Sequence, residues 1–159
     1  MSGSNTYILI ELAGAFYGVR SEDVQHIEML EHVTPVPNTA PAVDGVVFSR
    51  GQLIPVINLR VRFGLARQAA TPRSRLVFLK IHERIVGLLV DAAREFRTIS
   101  LETIRPIQET LHGIEGNYVK GVATVKDRLI LLLDISAVLK LEEIALPSGA
   151  NAAVISANR

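Results

Sequence analysis

Cysteine and tryptophan are both absent from this sequence, and the remaining aromatics are three Tyr and five Phe. Without cysteine there are no disulfides, no thiol catalysis and no thiolate metal sites, a pattern that fits a reducing compartment. So few rings leave little material for the stacking platform on which single-stranded nucleic acid is held. Charge of one sign is missing too: 17 basic against 16 acidic side chains give a net charge of +1, which supplies no global pull towards nucleic acid or an anionic membrane. Apolar runs such as Leu129 to Leu133 are far shorter than the roughly 20 residues a membrane-spanning helix needs. The start, Met-Ser-Gly-Ser-Asn-Thr, lacks the basic and apolar parts of a secretion signal. The expectation is a cytoplasmic protein with no direct membrane insertion. What the chain does have is 48% apolar residues over 159 positions, enough for one domain or two small ones.

Short β-patterned runs dominate. Tyr7 to Leu12 and Phe16 to Val19 flank Ala13-Gly14 as a hairpin, and Ser21 with Glu22 and Asp23 reads as a helix start followed by apolar contacts from Val24, Ile27 and Met29. Pro35, Pro37 and Pro41 keep the segment from Glu31 to Ala42 extended and loop-like. Val46 to Phe48 and Leu53 to Ile57 enclose Ser49-Arg50-Gly51-Gln52, a second hairpin with Arg50 exposed at its tip. Asn58 then caps a short helical turn that ends at Gly64. Ala66 to Arg75 is a polar loop, Leu76 to Ile81 and Ile85 to Asp91 form a hairpin around His82-Glu83-Arg84, and Ala93 to Ile99 extends the sheet. Ser100 to Ile104 is a capped turn stopped by Pro106, and Gln108 to Asn117 is a loop. Tyr118 to Val125 and Leu129 to Leu133 pair around Lys126-Asp127-Arg128, and Asp134 or Ser136 caps a final helix that ends before Pro147. Residues 1–6 and 147–159 read as disordered tails.

The sequence also repeats. An offset of 76 lays Gly45 to Leu59 on Gly121 to Ile135, with a basic residue at each tip and an Asx residue at each end. An offset of 69 lays Ile8 to Val19 on Val77 to Leu88 and matches Gly18 with Gly87. The fold class expected is mainly β: two five-stranded barrel subdomains related by this repeat, with short helices and a C-terminal helix. A single domain over 7–141 would divide into about 15–80 and about 81–135 plus the N-terminal strand.

Catalytic constellations do not emerge. His26, His32, His82 and His112 show no i, i+4 pairing and read as surface or turn residues, so no metal site and no cofactor is expected. Gly113-Ile114-Glu115-Gly116 fits neither phosphate-binding fingerprint, and the serines lack a nucleophile elbow. For an unrecognised enzyme His82 and Asp91 are the least implausible groups. Arg60, Arg62, Arg67, Arg73 and Arg75 cluster about the mid-chain loop and keep a small-barrel nucleic-acid-binding module as the alternative function.

Tyr17-Gly18-Val19 with Val24 and Ile27, Thr34-Pro35-Val36-Pro37, Gly45-Val46, Arg50-Gly51, Ile54 to Arg60, Gly87 to Asp91 and Tyr118 to Val122 together resemble the CheW family of chemotaxis coupling proteins, from about Tyr7 to Leu141. The resemblance implies two SH3-like barrels and a non-catalytic adaptor. Its partners would be the cytoplasmic tips of chemoreceptors, the regulatory domain of a CheA-type histidine kinase and other CheW-like domains, in membrane-associated or cytoplasmic arrays, with no nucleic acid. Carried over by motif, the receptor surface falls on Gly45, Val46, Phe48, Ser49 and Arg50 with Val90, and the kinase surface on Ile8, Ser21 and Val24. The chain departs from the family pattern at Phe48-Ser49, where Asn-Leu is frequent, and at His26, where Glu is frequent.

Overall fold

The computed structural model describes residues 3–107 and 117–144. Eleven strands make up two sheets, joined by single helical turns. In chain order the strands are β1 (Ser4–Leu12), β2 (Ala15–Arg20), β3 (Val24–Met29), β4 (Val43–Ser49) and β5 (Gln52–Asn58), then β6 (Arg75–Ile81), β7 (Arg84–Val90), β8 (Ala92–Ser100), β9 (Arg105–Pro106), β10 (Val119–Val125) and β11 (Arg128–Leu133). Helix α1 (Leu59–Arg62) follows β5, and α2 (Ile135–Leu139) follows β11. One sheet runs β3-β6-β7-β5-β4; the other runs β8-β1-β2-β11-β10-β9.

The internal repeat fixes both register and sequence pattern. Hairpin β4–β5 pairs Val43 with Ile57 and Gly45 with Val56 across a bulge, and β10–β11 pairs Val119 with Leu133 and Gly121 with Leu132 across the same bulge. Gly18 in β2 faces Leu132 in parallel β11, as Gly87 in β7 faces Val56 in parallel β5. The offset of 69 also carries β3 onto β8: Val24 and Ile27 pair with Leu79 and Val77, as Ala93 and Phe96 pair with Ile10 and Ile8. Each repeat is therefore hairpin, third strand, proline-bearing segment, hairpin, helical turn. The two repeats exchange their first hairpins, so each sheet is built from both. That exchange differs from the expected division near residue 80, because β2 lies in the six-stranded sheet and β7 in the five-stranded one.

Each sheet curls over a small core of its own. Val47, Ile54, Val56, Leu76 and Phe78 fill one, and Tyr7, Leu9, Ile99, Ala123, Ile130 and Leu132 fill the other. Between them lies a larger shared core that includes Ile8, Ile10, Ile57, Leu59, Leu79, Leu88, Leu133 and Leu139. Alternating strand residues serve the two cores in turn: Tyr7 and Leu9 point into the barrel while Ile8 and Ile10 point into the seam. The exchange of hairpins and the common seam tie the two halves together through strand pairing and a shared core.

Four two-residue hairpins have both central residues left-handed: Ala13-Gly14, Arg50-Gly51, His82-Glu83 and Lys126-Asp127. That turn twists in the same hand as the strands it joins. Asn58 Oδ1 accepts from the Val61 amide and Asp134 Oδ1 from the Ala137 amide, both at 3.3 Å, so each helical turn opens on the expected Asx cap. The two helical turns meet through Arg62, whose buried guanidinium donates to the Val138 and Leu139 carbonyls and to Glu143 at 2.7, 3.2 and 3.0 Å.

Several local expectations are corrected. Ser21–Asp23 is one 3-10 turn without a side-chain cap, and Val24–Met29 is strand, because β6 offers an edge that a short isolated helix cannot match. Residues 4–6 are not a loose lead: Ser4, Asn5 and Thr6 pair with Ser100, Ile99 and Thr98. The loop expected over 108–116 and the tail from 147 lie outside the described residues.

Candidate functional site

The tip of β4–β5 combines an exposed ring, an exposed cation and a rigid base. Strand alternation turns Val47 and Ser49 inwards and Phe48 outwards, leaving Phe48 67% exposed. Arg50 follows at φ 50° as the first left-handed residue of the turn, exposed to solvent. Glycine at position 51, φ 79°, supplies the second left-handed residue without a Cβ penalty.

Beneath the tip the hairpin is held from two sides. Val46 exchanges both backbone hydrogen bonds with Thr34 at 2.8 Å, which lays the proline-bearing segment along β4. Gly45 sits at the crossing with φ 140°, and a Cβ there would lie 2.0 Å from the Thr34 carbonyl oxygen. On the other side Ser49 Oγ donates to Glu28 Oε2 at 2.8 Å, and the same carboxylate oxygen lies 2.6 Å from His26 Nε2. The His26 ring stacks on Phe78 with centroids 4.4 Å apart. Strands β3 and β4 are the outer members of the five-stranded sheet, so the Ser49–Glu28 bond closes it into a barrel.

The residues expected at a receptor surface divide accordingly. Phe48 and Arg50 are exposed, Ser49 is buried with its hydroxyl committed inwards, and Gly45 is a backbone crossing. Val46 and Val90 are core residues, 2% and 1% exposed, and offer a partner no side-chain surface. At the expected kinase surface Ile8 is also core, because it points into the seam. Ser21 is half-exposed on its 3-10 turn, and Val24 is half-buried against the shared core. Nearby, burial and Glu22 push the Asp23 carboxyl up, against lowering by Arg20 and Lys120.

Sequence reasoning missed the His26–Glu28 pair. Residues two apart on a strand share a face, a signal hidden by reading the segment as the sequel of a helix.

The arginines around the mid-chain loop are engaged within the molecule. Arg60 grips Asp91 through two bonds of 2.9 and 2.7 Å, Arg62 holds α2, and Arg67 bonds Asp44 and the Pro41 carbonyl. Arg73 pairs with Glu11, and Arg75 donates to the Pro72 and Ser74 carbonyls. The cluster that favoured nucleic acid is thus a set of internal ties. Asp91 also accepts from the Ala13 amide at 2.9 Å, linking β7, α1 and the first turn. Burial alone would raise its carboxyl, but the bonds from Arg60 and Ala13 and the charges of Arg60 and Arg73 prevail and hold it below the usual carboxylate range. His82 and Asp91 stand at opposite ends of β7, so they do not converge on a site.

Among the described residues no helix is long and apolar enough to cross a membrane. Residues 6–143 match the family model of the CheW-like domain. The chain is 30% identical to the chemotaxis protein CheW of Klebsiella aerogenes over 140 residues, covering 88% of this chain and 84% of that protein. Against the chemotaxis protein CheW of Thermotoga maritima identity is 32% over 133 residues, 80% of this chain and 83% of its relative. The crystal structure of the scaffolding protein TtCheW from Thermoanaerobacter tengcongensis superposes with a TM-score of 0.76 at 29% identity, covering 83% of this chain and 90% of that one. With a barrel pair, a repeat and a family match over nearly the whole length, the chain belongs to the CheW-like domain family.

Proposed function

We propose that this chain is a non-catalytic adaptor that couples chemoreceptors to a CheA-type histidine kinase in a chemosensory array. The observation that carries the receptor half is the β4–β5 tip, where an exposed Phe48 stands beside an exposed Arg50 on a hairpin secured at Gly45 and Ser49. An amphipathic helical hairpin offers an apolar face with polar flanks, and an exposed ring beside a guanidinium, both residue types enriched at binding hot spots, suits such a partner. Val46, paired with Pro55, backs the hairpin behind the tip, whereas Val90 follows the Leu89 that pairs with Asn58 at the far end of β5 and belongs to the shared core. The kinase half is assigned to the Ser21–Val24 corner, where partly exposed side chains stand on a turn braced by the seam. The protein acts in the cytoplasm, at the receptor arrays.

Reconstitution tests this reading. Purified chain is mixed with a histidine kinase and a chemoreceptor cytoplasmic fragment from the same organism, and kinase autophosphorylation is followed. The expected result is receptor control of the kinase only when the chain is present. Equal receptor control with and without it would remove the adaptor role.

A further inference from the structure

We propose that His26, Glu28 and Ser49 form a clasp that positions the β4–β5 tip for its partner. The inference rests on the receptor reading above and adds the residues that act through Phe48 and Arg50. Glu28 Oε2 is the common acceptor, 2.8 Å from Ser49 Oγ and 2.6 Å from His26 Nε2. Its partners come from the two outer strands of one sheet, so the clasp spans the barrel where no backbone ladder joins β3 to β4 at that level. The stack of His26 on Phe78 anchors the clasp to the barrel core. Ser49 lies between Phe48 and Arg50, and its inward hydroxyl fixes the rotation of the strand that points Phe48 outwards.

The other half of the molecule supplies the control. At the repeat offsets Val125 replaces Ser49, and Glu95 and Arg97 replace His26 and Glu28. Glu95 and Arg97 close on each other at 2.9 Å, while Val125 packs against the small apolar core. Between that pair and the hairpin lies an open cleft of about 240 Å³, lined by Glu95, Arg97, Val125 and Lys126 among others. The same frame therefore carries a polar clasp under one tip and an open cleft under the other. A polar pair lies beneath both tips, and what sets the Phe48–Arg50 tip apart is the added cross-strand bond from Ser49 to Glu28, for which Val125 has no hydroxyl.

Two measurements on the full chain test the clasp: affinity for a chemoreceptor cytoplasmic hairpin fragment, and amide hydrogen exchange across residues 46–54 and 122–130. Ser49→Ala is expected to speed exchange at 46–54 by about fivefold and to weaken fragment binding about three- to tenfold, the range for one ordinary hydrogen bond lost at a partly exposed acceptor. Exchange at 122–130 stays unchanged. Ser49→Thr keeps the hydroxyl and restores both readouts, and Glu28→Gln keeps an oxygen acceptor and retains most of the affinity. Unchanged exchange at 46–54 in Ser49→Ala overturns the clasp whatever the affinity does. Faster exchange with unchanged affinity overturns its positioning role. If the unsubstituted chain does not bind the fragment, the receptor reading and the positioning role fall together, and the exchange result still decides whether the clasp holds the hairpin.

Discussion

Hairpins β4–β5 and β10–β11 share bulge position, turn type, parallel neighbour and the Asx-capped helical turn that follows. They differ at the tip and just below it. One carries Phe48-Ser49-Arg50-Gly51 over a hydrogen-bonded clasp; the other carries Thr124-Val125-Lys126-Asp127 over a cleft. What the repeat keeps is what the barrel needs: inward apolar residues, a bulge and a turn that twists with the strands. What it lets diverge is mostly solvent-facing, with the inward pair Ser49 and Val125 the exception, and exposed positions are where a binding surface can be written without cost to folding.

The two hairpins differ most in tolerance at the bulge glycines. Gly45→Ala forces a Cβ to 2.0 Å from the Thr34 carbonyl oxygen at φ 140°, whereas at Gly121 the nearest atoms are the Ile104 Cγ2 methyl at 3.1 Å and the Arg105 carbonyl oxygen at 3.2 Å. Gly45→Ala should cost about 3 kcal/mol or more, and Gly121→Ala about 1 kcal/mol, read by urea unfolding. Equal losses would mean that the two crossings are equally tight.

Swapping the residues beneath the tips comes next. Ser49→Val strands the Glu28 carboxylate beside His26 and should destabilise by about 1–2 kcal/mol. Val125→Ser loses apolar burial without gaining a partner and should cost about 1 kcal/mol. A stabilised Ser49→Val would show that the clasp contributes nothing to folding.

Acid separates the seam from the tips. Asp91 is held below its ordinary value near 3.8, so its ties to Arg60 and Ala13 add stability that is present above that value and lost as pH falls through the lower folded-state value. In thermal melts at decreasing pH, Asp91→Asn should be less stable than the unsubstituted chain near pH 7, with the gap narrowing below about pH 4. A constant gap would place the effect in packing rather than charge. The smallest change is at the turn itself. Asp127→Gly removes a strained left-handed residue, φ 63°, and should stabilise by about 0.5 kcal/mol in the same unfolding assay.

Much of the fold was legible because β-hairpins are local. Alternating apolar runs around Arg50-Gly51 and Lys126-Asp127 fix strand positions and face, and Asn58 and Asp134 mark the helical turns as caps. The exchange of first hairpins was not legible, since parallel pairing of β2 with β11 and β7 with β5 joins segments distant in sequence and leaves no short-range signature. At the candidate site Arg50 could be read as exposed from its turn position, whereas Phe48 closed an apolar run and came to the surface reading only through the motif. Val46, Val90 and Ile8 could not be read as core, because motif transfer marks a position without saying which way its side chain points. Ser49 carried no signal of its own, as its partner Glu28 sits on a strand whose register depends on β6.

Function resides where the two hairpins diverge, and a pair of charge reversals separates that reading from a general effect of tip charge. Arg50→Glu and Lys126→Glu alter equivalent exposed tip residues, and each should change stability by no more than about 0.5 kcal/mol. In the reconstituted receptor and kinase assay, Arg50→Glu is expected to abolish receptor control while Lys126→Glu leaves it intact. Normal control in Arg50→Glu, or an equal loss in both variants, would contradict the account.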